Sequence, residues 1–371
     1  MCWCLQSRYS CALGCLRISA HKVRSCAPCE LSGASDMHAG PLDWPAGGIE
    51  VLGRCPVCYS NSRELLHEQL LDRLFGTPGL WTLHRCECGV AYLDPRPRSD
   101  FLYLAYRDYY THQRQDEAAG IASLMVRAKA LIRRQYVGAK YGVRTRHSPG
   151  YALLRLFPAQ TNALDAFMRH IPMPWGGRRL LDVGCGDGMF LAHAQLAGWN
   201  VMGTELDARA AAQAKSRGVE VFLGKVEDLL QSGVRFEQIT LSHVIEHVAD
   251  PRAILSAVRS LLVPGGACWI ETPNIDAYGH QLFGPAWRGL EPPRHLQLFT
   301  RERLRLLCEA VGFQAVEDAP WHPDGWVVLE ASMKLARQLD LKIDKGEIKK
   351  LRYFGSQDPE KREFITLCAR C

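Results

Sequence analysis

Three observations predict an α/β fold, a doubly wound parallel sheet of seven strands behind a small cysteine module and a helical segment. From residue 177 onward, short apolar runs alternate with helical patterns, as strands alternate with crossover helices in layered α/β proteins. A loop with glycine at every second position, Gly184-Cys-Gly-Asp-Gly188, joins the first such run to the first helix. Two close cysteine pairs, Cys55/Cys58 and Cys86/Cys88, stand well upstream of both features.

The chain has 371 residues, 47% hydrophobic and 23% charged, a composition that excludes disordered and fibrous classes. No apolar run approaches the roughly 18 residues that would cross a bilayer. A net charge of +6 over this length does not by itself argue for nucleic acid. The 15 cysteines are odd in number and fall in separate groups, which is not a disulfide framework, so a reducing, cytoplasmic setting is expected.

Residues 1–50 carry Cys2, Cys4, Cys11, Cys15, Cys26 and Cys29 among Arg and Ser, with no acid before Glu30. They read as a disordered leader, either a transit peptide or a start upstream of a true one near Met37. Residues 51–98 form one small module, with a Gly-Thr-Pro-Gly turn at 76–79 between the cysteine pairs. A helical segment over 99–176 begins with Tyr103, Tyr106, Tyr109 and Tyr110. From Ile121 to Arg179 there are eleven Lys or Arg against one acid, Asp165. That run is a solvated helical face or a docking surface for an anionic acceptor. The segment as a whole is read as a linker, a lid or an acceptor wall. Pro172-Met-Pro-Trp-Gly-Gly177 marks the boundary of the last domain, 177–371.

Within that domain, strands are expected at 179–183, 200–205, 220–223, 238–242, 267–271, 314–318 and 363–369. Helices are expected at 188–197, 207–217, 251–262 and 301–310, with a helical insertion within 331–360.

The glycines let backbone approach a ligand closely, and the helix N-terminus behind them offers unpaired N–H groups to an anionic part. Asp182 precedes the loop on its strand. Glu205 ends the next strand, where an acid accepts hydrogen bonds from ribose hydroxyls, so the ligand contains a nucleoside.

In order and spacing, Asp182-Val-Gly-Cys-Gly-Asp-Gly188, Glu205, Ser242-His-Val-Ile-Glu-His-Val-Ala-Asp-Pro251 and Leu262-Val-Pro-Gly-Gly266 resemble the class I S-adenosylmethionine-dependent methyltransferases. The resemblance covers about residues 177–320 and implies a Rossmann-like sheet. A nicotinamide fingerprint would need Gly where Met189 stands. The resemblance places Gly184, Gly186 and Gly188 against the methionine part of S-adenosylmethionine, with Asp182 orienting the loop and the bound amino group. It places Glu205 on the ribose, Leu206 on the adenine face, Glu227 or Asp228 at the adenine edge and His243 in the cofactor pocket. For Glu227 and Asp228 the alternative is a helix N-terminal acid without a ligand.

Methyl transfer to a hydroxyl needs alignment and removal of a proton. His295, in Pro293-Arg-His-Leu-Gln-Leu-Phe-Thr300, is the first candidate for the base and His243 the second; the alternative for each is a structural hydrogen bond. Around His295 the chain is similar to ubiquinone-type O-methyltransferases and sugar or natural-product methyltransferases, which implies a small-molecule acceptor. Tyr278, Phe283, Trp287, Trp321 and Trp326 are aromatic residues without an assigned role.

Cys55-Pro-Val-Cys58 and Cys86-Glu-Cys88 have the separation of two knuckles closing a tetrahedral structural zinc site. The short second pair leaves His84 as a substitute for the fourth ligand, Cys88. Zinc-ribbon-like segments precede similar methyltransferase domains. The competing class is a zinc-stabilised, non-catalytic module binding a nucleotide or nucleic acid.

Overall fold

A computed structural model of the chain describes residues 44–45, 47–107, 122–142, 148–174, 177–320, 325–344, 346–348, 351 and 358–371. The leader up to residue 43, Tyr109, Tyr110, Arg144, Arg146 and Trp321, and the side chain of Trp326, lie outside the described residues.

The cysteine module contributes β1 (Ile49–Glu50), β2 (Arg63–Leu70), β3 (Trp81–Cys86), β4 (Ala91–Leu93) and β5 (Arg96–Pro97). Strands β1 and β5 pair as a short ribbon. A buried carboxylate, Asp94, accepts hydrogen bonds from the Leu52 and Gly53 N–H groups at 2.9 and 3.0 Å and pairs with Arg63, so the chain entering the first cysteine pair is tied to the strand leaving the second.

Three helices follow, α1 (Ala122–Lys140), α2 (Pro149–Leu154) and α3 (Pro158–Phe167). Next come β6 (Arg179–Val183), α4 (Met189–Leu196), β7 (Asn200–Glu205), α5 (Ala208–Ser216), β8 (Glu220–Leu223), β9 (Phe236–Ser242), α6 (Pro251–Leu261) and β10 (Leu262–Pro273). The chain then passes through α7 (Tyr278–Phe283), β11 (Gln297–Leu298), α8 (Arg301–Ala310), β12 (Ala315–Asp318), α9 (Trp326–Gln338) and β13 (Phe364–Arg370). Seven strands form one sheet in the order β12-β13-β10-β9-β6-β7-β8. The order reverses direction at β6 and β9, the place where open α/β sheets leave a crevice at their carboxyl edge.

Six of these seven strands run in one direction and β13 is antiparallel to both neighbours, which corrects the expectation of an all-parallel sheet. The chain enters β13 at the carboxyl edge, where the Glu363 carbonyl accepts from the Asn274 N–H at 3.0 Å, so it must run back toward the opposite edge. Hydrophobic alternation records which face a side chain takes and is silent on strand direction.

Both faces are covered. Leu181, Val183, Ile239, Leu241 and Ile270 pack under α6 and α8, whereas Leu180, Val201 and Val221 pack under α4, α5 and the α1–α3 layer. Helix α6 shows how the sequence makes such a layer. Asp250 caps it by accepting from the N–H groups of Arg252 and Ala253 at 3.0 and 2.9 Å, Pro251 opens it, and Ile254, Leu255, Val258 and Leu261 share the buried face. Such a cap is worth about 1 kcal/mol.

Two parts of the domain division look different in three dimensions. The segment read as a linker or lid is a structural layer: Tyr136, Val137, Leu154, Leu164 and Met168 share a core with Phe190, Leu191 and Val201. The module's sheet has the order β11-β4-β3-β2, so its outermost strand comes from residues far down the chain. One face of that sheet, with Leu83, Leu93 and Leu298, packs with Phe283, Trp287 and Leu329; Cys86, Val90 and Tyr92 join the core beneath α6 and α8. A strand of two residues carries too little pattern to be read from sequence.

Candidate functional site

Gly184, Gly186 and Gly188 all have positive φ, at 66°, 56° and 74°. Two of them are crowded as well. A Cβ at Gly188 would lie 2.7 Å from Cβ of Ala214 on α5, and one at Gly184 would lie 3.0 Å from Val244. A Cβ at Gly186 would meet nothing within 4 Å. Gly186 is therefore glycine for its backbone angle, and its loop faces open space at the carboxyl edge, as a cradle for a ligand must.

Glu205 closes this loop from the end of β7. One carboxylate oxygen accepts from the Gly186 N–H at 2.8 Å; the other accepts from the N–H groups of Leu206 and Asp207 at 2.7 and 3.0 Å. A carboxylate has about four acceptor positions, so roughly one remains for a hydroxyl unless a loop N–H is displaced. Glu205 is thus a clamp on the glycine loop as well as a ribose candidate. Beside it Leu206 is 69% exposed, an apolar side chain held on the open edge by the turn into α5. Asp228 accepts from the Lys225 N–H at 3.1 Å and caps the turn that follows β8, which is the ligand-free alternative for that residue; Glu227 beside it is half-buried.

Asp182 lies on β6 just before the glycine turn, as expected. With a period of two it shares the face of Leu180, beneath the helical layer, and it is buried. One of its oxygens accepts from Arg169 and from Thr240 Oγ1, the latter at 2.8 Å. Arg169 also donates to Thr240 at 2.7 Å and lies 3.9 Å over the Phe190 ring. Through that oxygen Asp182 braces β6 against the helical layer, while its Oδ2 is buried without a hydrogen-bond partner among the described residues. Arg169 had no distinguishing signal in the sequence, being one of eleven basic residues in a run.

The other half of the edge is a buried network of His, Glu and Arg. His243 leaves β9 in the left-handed region, φ 53°. Its Nδ1 lies 3.2 Å from Glu246 and its Nε2 3.5 Å from Glu271. Burial opposes its charge, but hydrogen bonds to the two carboxylates outweigh burial and raise its pKa to about 10. Burial likewise works against the Glu246 carboxylate, and the facing histidines, His243 first, bring it down to about 2. The two carboxylates thus favour the charged form of His243.

His295 is the opposite case. Its Nδ1–H donates to the Gly289 carbonyl at 2.7 Å, and its Nε2, which carries the lone pair in the neutral ring, lies 3.5 Å from Glu291. Burial lowers its pKa to about 4, so it is neutral. Its ring lies 4.7 Å from that of His247, and atoms of Glu246, His247 and His295 that could bind a proton or a metal lie within 4.8 Å of one another. The loop carrying His295 is held by the Leu296 N–H on the Glu246 carbonyl at 2.8 Å, and by the Gln297 amide on the carbonyls of Ile245 and Val248 at 2.7 and 2.8 Å.

Arg294 anchors that loop to the module. It is fully buried and binds Asp72 at 2.8 Å, Thr77 at 3.0 Å, the Ala105 carbonyl at 2.9 Å and Glu291 at 2.9 Å. Glu363, also missed in the sequence, is half-buried at the entry to β13. It accepts from the Gly279 N–H at 2.9 Å and from the Trp287 indole at 2.8 Å, and burial pushes its pKa up to about 7. Phe283 and Trp287 are core residues of this region.

The four cysteines converge. Cys55 and Cys88 sulfurs are 3.8 Å apart, Cys58 and Cys86 sulfurs 3.4 Å, and all four lie within 4.8 Å of one another. A tetrahedral thiolate site with zinc–sulfur bonds of about 2.3 Å has edges of roughly 3.8 Å, so the donor set fits. The Val57 N–H points at Cys55 sulfur at 3.5 Å, as in a knuckle that stabilises a thiolate. His84 sits in β3, opposite Leu65 and Tyr92, and does not belong to the cluster.

Residues 147–318 match the family model of a methyltransferase domain. A ubiquinone biosynthesis O-methyltransferase of Cereibacter sphaeroides is 36% identical over 124 residues, 31% of this chain and 50% of that protein. The one of Dinoroseobacter shibae is 34% identical over 158 residues, 39% of this chain and 64% of that protein. The chain spans about half the length of the first of these curated relatives. An S-adenosylmethionine-dependent methyltransferase of Archaeoglobus fulgidus aligns over 60% of this chain and 100% of its own, with 21% identity and a TM-score of 0.39, which adds nothing to the strand order. Residues 147–318, which hold the glycine loop and most of the seven-stranded sheet, are thus similar to a methyltransferase domain. Among proteins with that domain, it is similar to the ubiquinone biosynthesis O-methyltransferases.

Proposed function

We propose that the chain is an S-adenosylmethionine-dependent methyltransferase acting on a hydroxyl of a small molecule of sugar, quinone-like or secondary-metabolite type. The observation that carries this reading is the glycine loop, open at Gly186, clamped by Glu205 and flanked by exposed Leu206. S-adenosylmethionine, when bound, supplies an electrophilic methyl on a sulfonium sulfur. The chain's part is to align a hydroxyl with that methyl and to take the proton as the oxygen–carbon bond forms and the sulfur–carbon bond breaks. His295 Nε2 is the proton acceptor, because burial favours the neutral ring there, whereas two carboxylates favour the charged form of His243. His243, both of its nitrogens facing the carboxylates of Glu246 and Glu271, braces the loop that leaves β9 beside the acceptor.

In the same reading the four cysteines, Cys88 and not His84 completing the set, hold a structural zinc. With all four positions taken by protein, that metal has no place for water or substrate. It contributes folding energy to a module too small for a core of its own.

Calorimetric titration with S-adenosylmethionine, beside a nicotinamide dinucleotide control and a Glu205→Gln variant, tests the reading. Binding of the first ligand alone, weakened in the variant, supports it. A folded protein that binds neither ligand overturns it in favour of a non-catalytic binding module.

A further inference from the structure

Between residues 121 and 179 the sequence holds eleven basic residues and a single acid, Asp165. That acid is withdrawn from the surface. It is buried and accepts from the hydroxyls of Tyr136 and Tyr141 at 3.0 and 2.7 Å and from Lys140 at 2.5 Å. The outside of the α1–α3 layer is therefore basic without a compensating charge of its own: Lys129, Arg133, Arg134 and Arg155 are exposed, and none has an ion-pair partner among the described residues.

The same layer exposes apolar side chains where α2 turns into α3. Leu154 is buried, while Leu153, Arg155, Leu156 and Phe157 around it are all exposed, Leu156 at 73% and Phe157 at 48%. Leu131 on α1 is 57% exposed. Single exposed leucines are ordinary, but an apolar turn carrying an arginine, on a layer stripped of surface acids, is not.

We infer that the α1–α3 layer is a docking surface for an anionic lipid bilayer, with Leu153, Leu156 and Phe157 entering the interface and Lys129, Arg133, Arg134 and Arg155 meeting the headgroups. Apolar insertion and basic attraction together are what interfacial binding requires. A second copy of the chain is disfavoured, because a symmetric contact would set basic surface against basic surface. Nucleic acid accounts for the arginines but leaves the aliphatic tip unexplained. The contact is peripheral: among the described residues no helix is long and apolar enough to cross a membrane.

Co-sedimentation of the full chain with vesicles tests this, comparing one part phosphatidylglycerol in two parts phosphatidylcholine with phosphatidylcholine alone. Binding to the anionic vesicles is expected to exceed that to neutral ones by about tenfold or more and to weaken with salt. The double variants Leu156→Ser/Phe157→Ser and Arg133→Glu/Arg134→Glu should each reduce it by about tenfold while their melting curves stay unchanged. Equal binding to both vesicles, no binding, or full binding by either folded variant overturns the inference. Retention on an RNA homopolymer without vesicle binding also overturns it and assigns the surface to nucleic acid. None of these readouts depends on S-adenosylmethionine binding.

Discussion

The two halves of the sheet's carboxyl edge are built by opposite means. The cofactor half, β6 to β8, works through backbone: three glycines, a clamp made by Glu205 on N–H groups, and an exposed Leu206. Its parts all lie between residues 184 and 206, and at Gly186 the loop faces open space. The other half, from β9 and β10 to the loop bearing His295, works through buried side chains gathered from distant segments. Arg294 and Thr77 are 217 residues apart in sequence and 3.0 Å apart in space. A site made of backbone can remain open and wait for a ligand. A site made of buried charges must be satisfied internally before any ligand arrives.

The strongest way to break this contrast is on the buried side. In the proposed reaction His295→Asn should lower kcat by about 10²- to 10⁴-fold, as expected for loss of a general base, while the affinity for S-adenosylmethionine measured by calorimetry stays unchanged. Retained turnover would return His295 to a structural role.

Next comes stability. Arg294→Met leaves the buried Asp72 carboxylate without its cation, while Glu291 keeps Arg288, and should cost about 3–5 kcal/mol in denaturant unfolding. A much smaller loss would mean that solvent reaches this network. On the open side, Glu205→Gln should weaken S-adenosylmethionine binding by about tenfold or more and move the melting temperature little, because the amide oxygen still accepts from part of the loop.

The smallest effect is a slope. His243 has its folded pKa raised from 6.5 to about 10, so its contribution to stability is complete below about pH 6.5 and is lost as pH rises toward 10. Glu246 has its pKa lowered from 4.5 to about 2, so the same pair loses its contribution as pH falls from about 4.5 toward 2. Melting temperatures taken from neutral to alkaline pH should fall more steeply in the parent than in His243→Gln. Parallel slopes would show that His243 is not held as an imidazolium.

The strand and helix positions of the large domain were legible because each is a local pattern. The expected strands at 200–205 and 220–223 coincide with β7 and β8, and the helix at 301–310 with α8. The glycine loop and Glu205 were legible for the same reason, since a strand, a turn and a helix start sit within one short stretch. The cysteine spacing also located its cluster, but the choice between Cys88 and His84 needed β3 to be placed, with His84 at a paired strand position outside the group of sulfurs. Asp182 was visible as an acid, and its buried partner was not, because Arg169 comes from a helical layer whose docking no local pattern encodes.

By itself, then, the sequence determined what short-range periodicity and backbone chemistry can carry: the order of the elements, the seven strands, the glycine turn and the four thiols. Tertiary structure decided the direction of β13, the completion of the module's sheet by β11, and the opposite directions in which the two histidines' pKa values shift. His243 and His295 are the same residue type at the same sheet edge, and only their surroundings separate them. One lies between two carboxylates, and the other is more deeply buried, with a backbone carbonyl on one nitrogen and a single carboxylate, Glu291, 3.5 Å from the other. A side chain's charge is set by what folding brings within a few ångströms of it, and those neighbours come from segments that the linear order holds far apart.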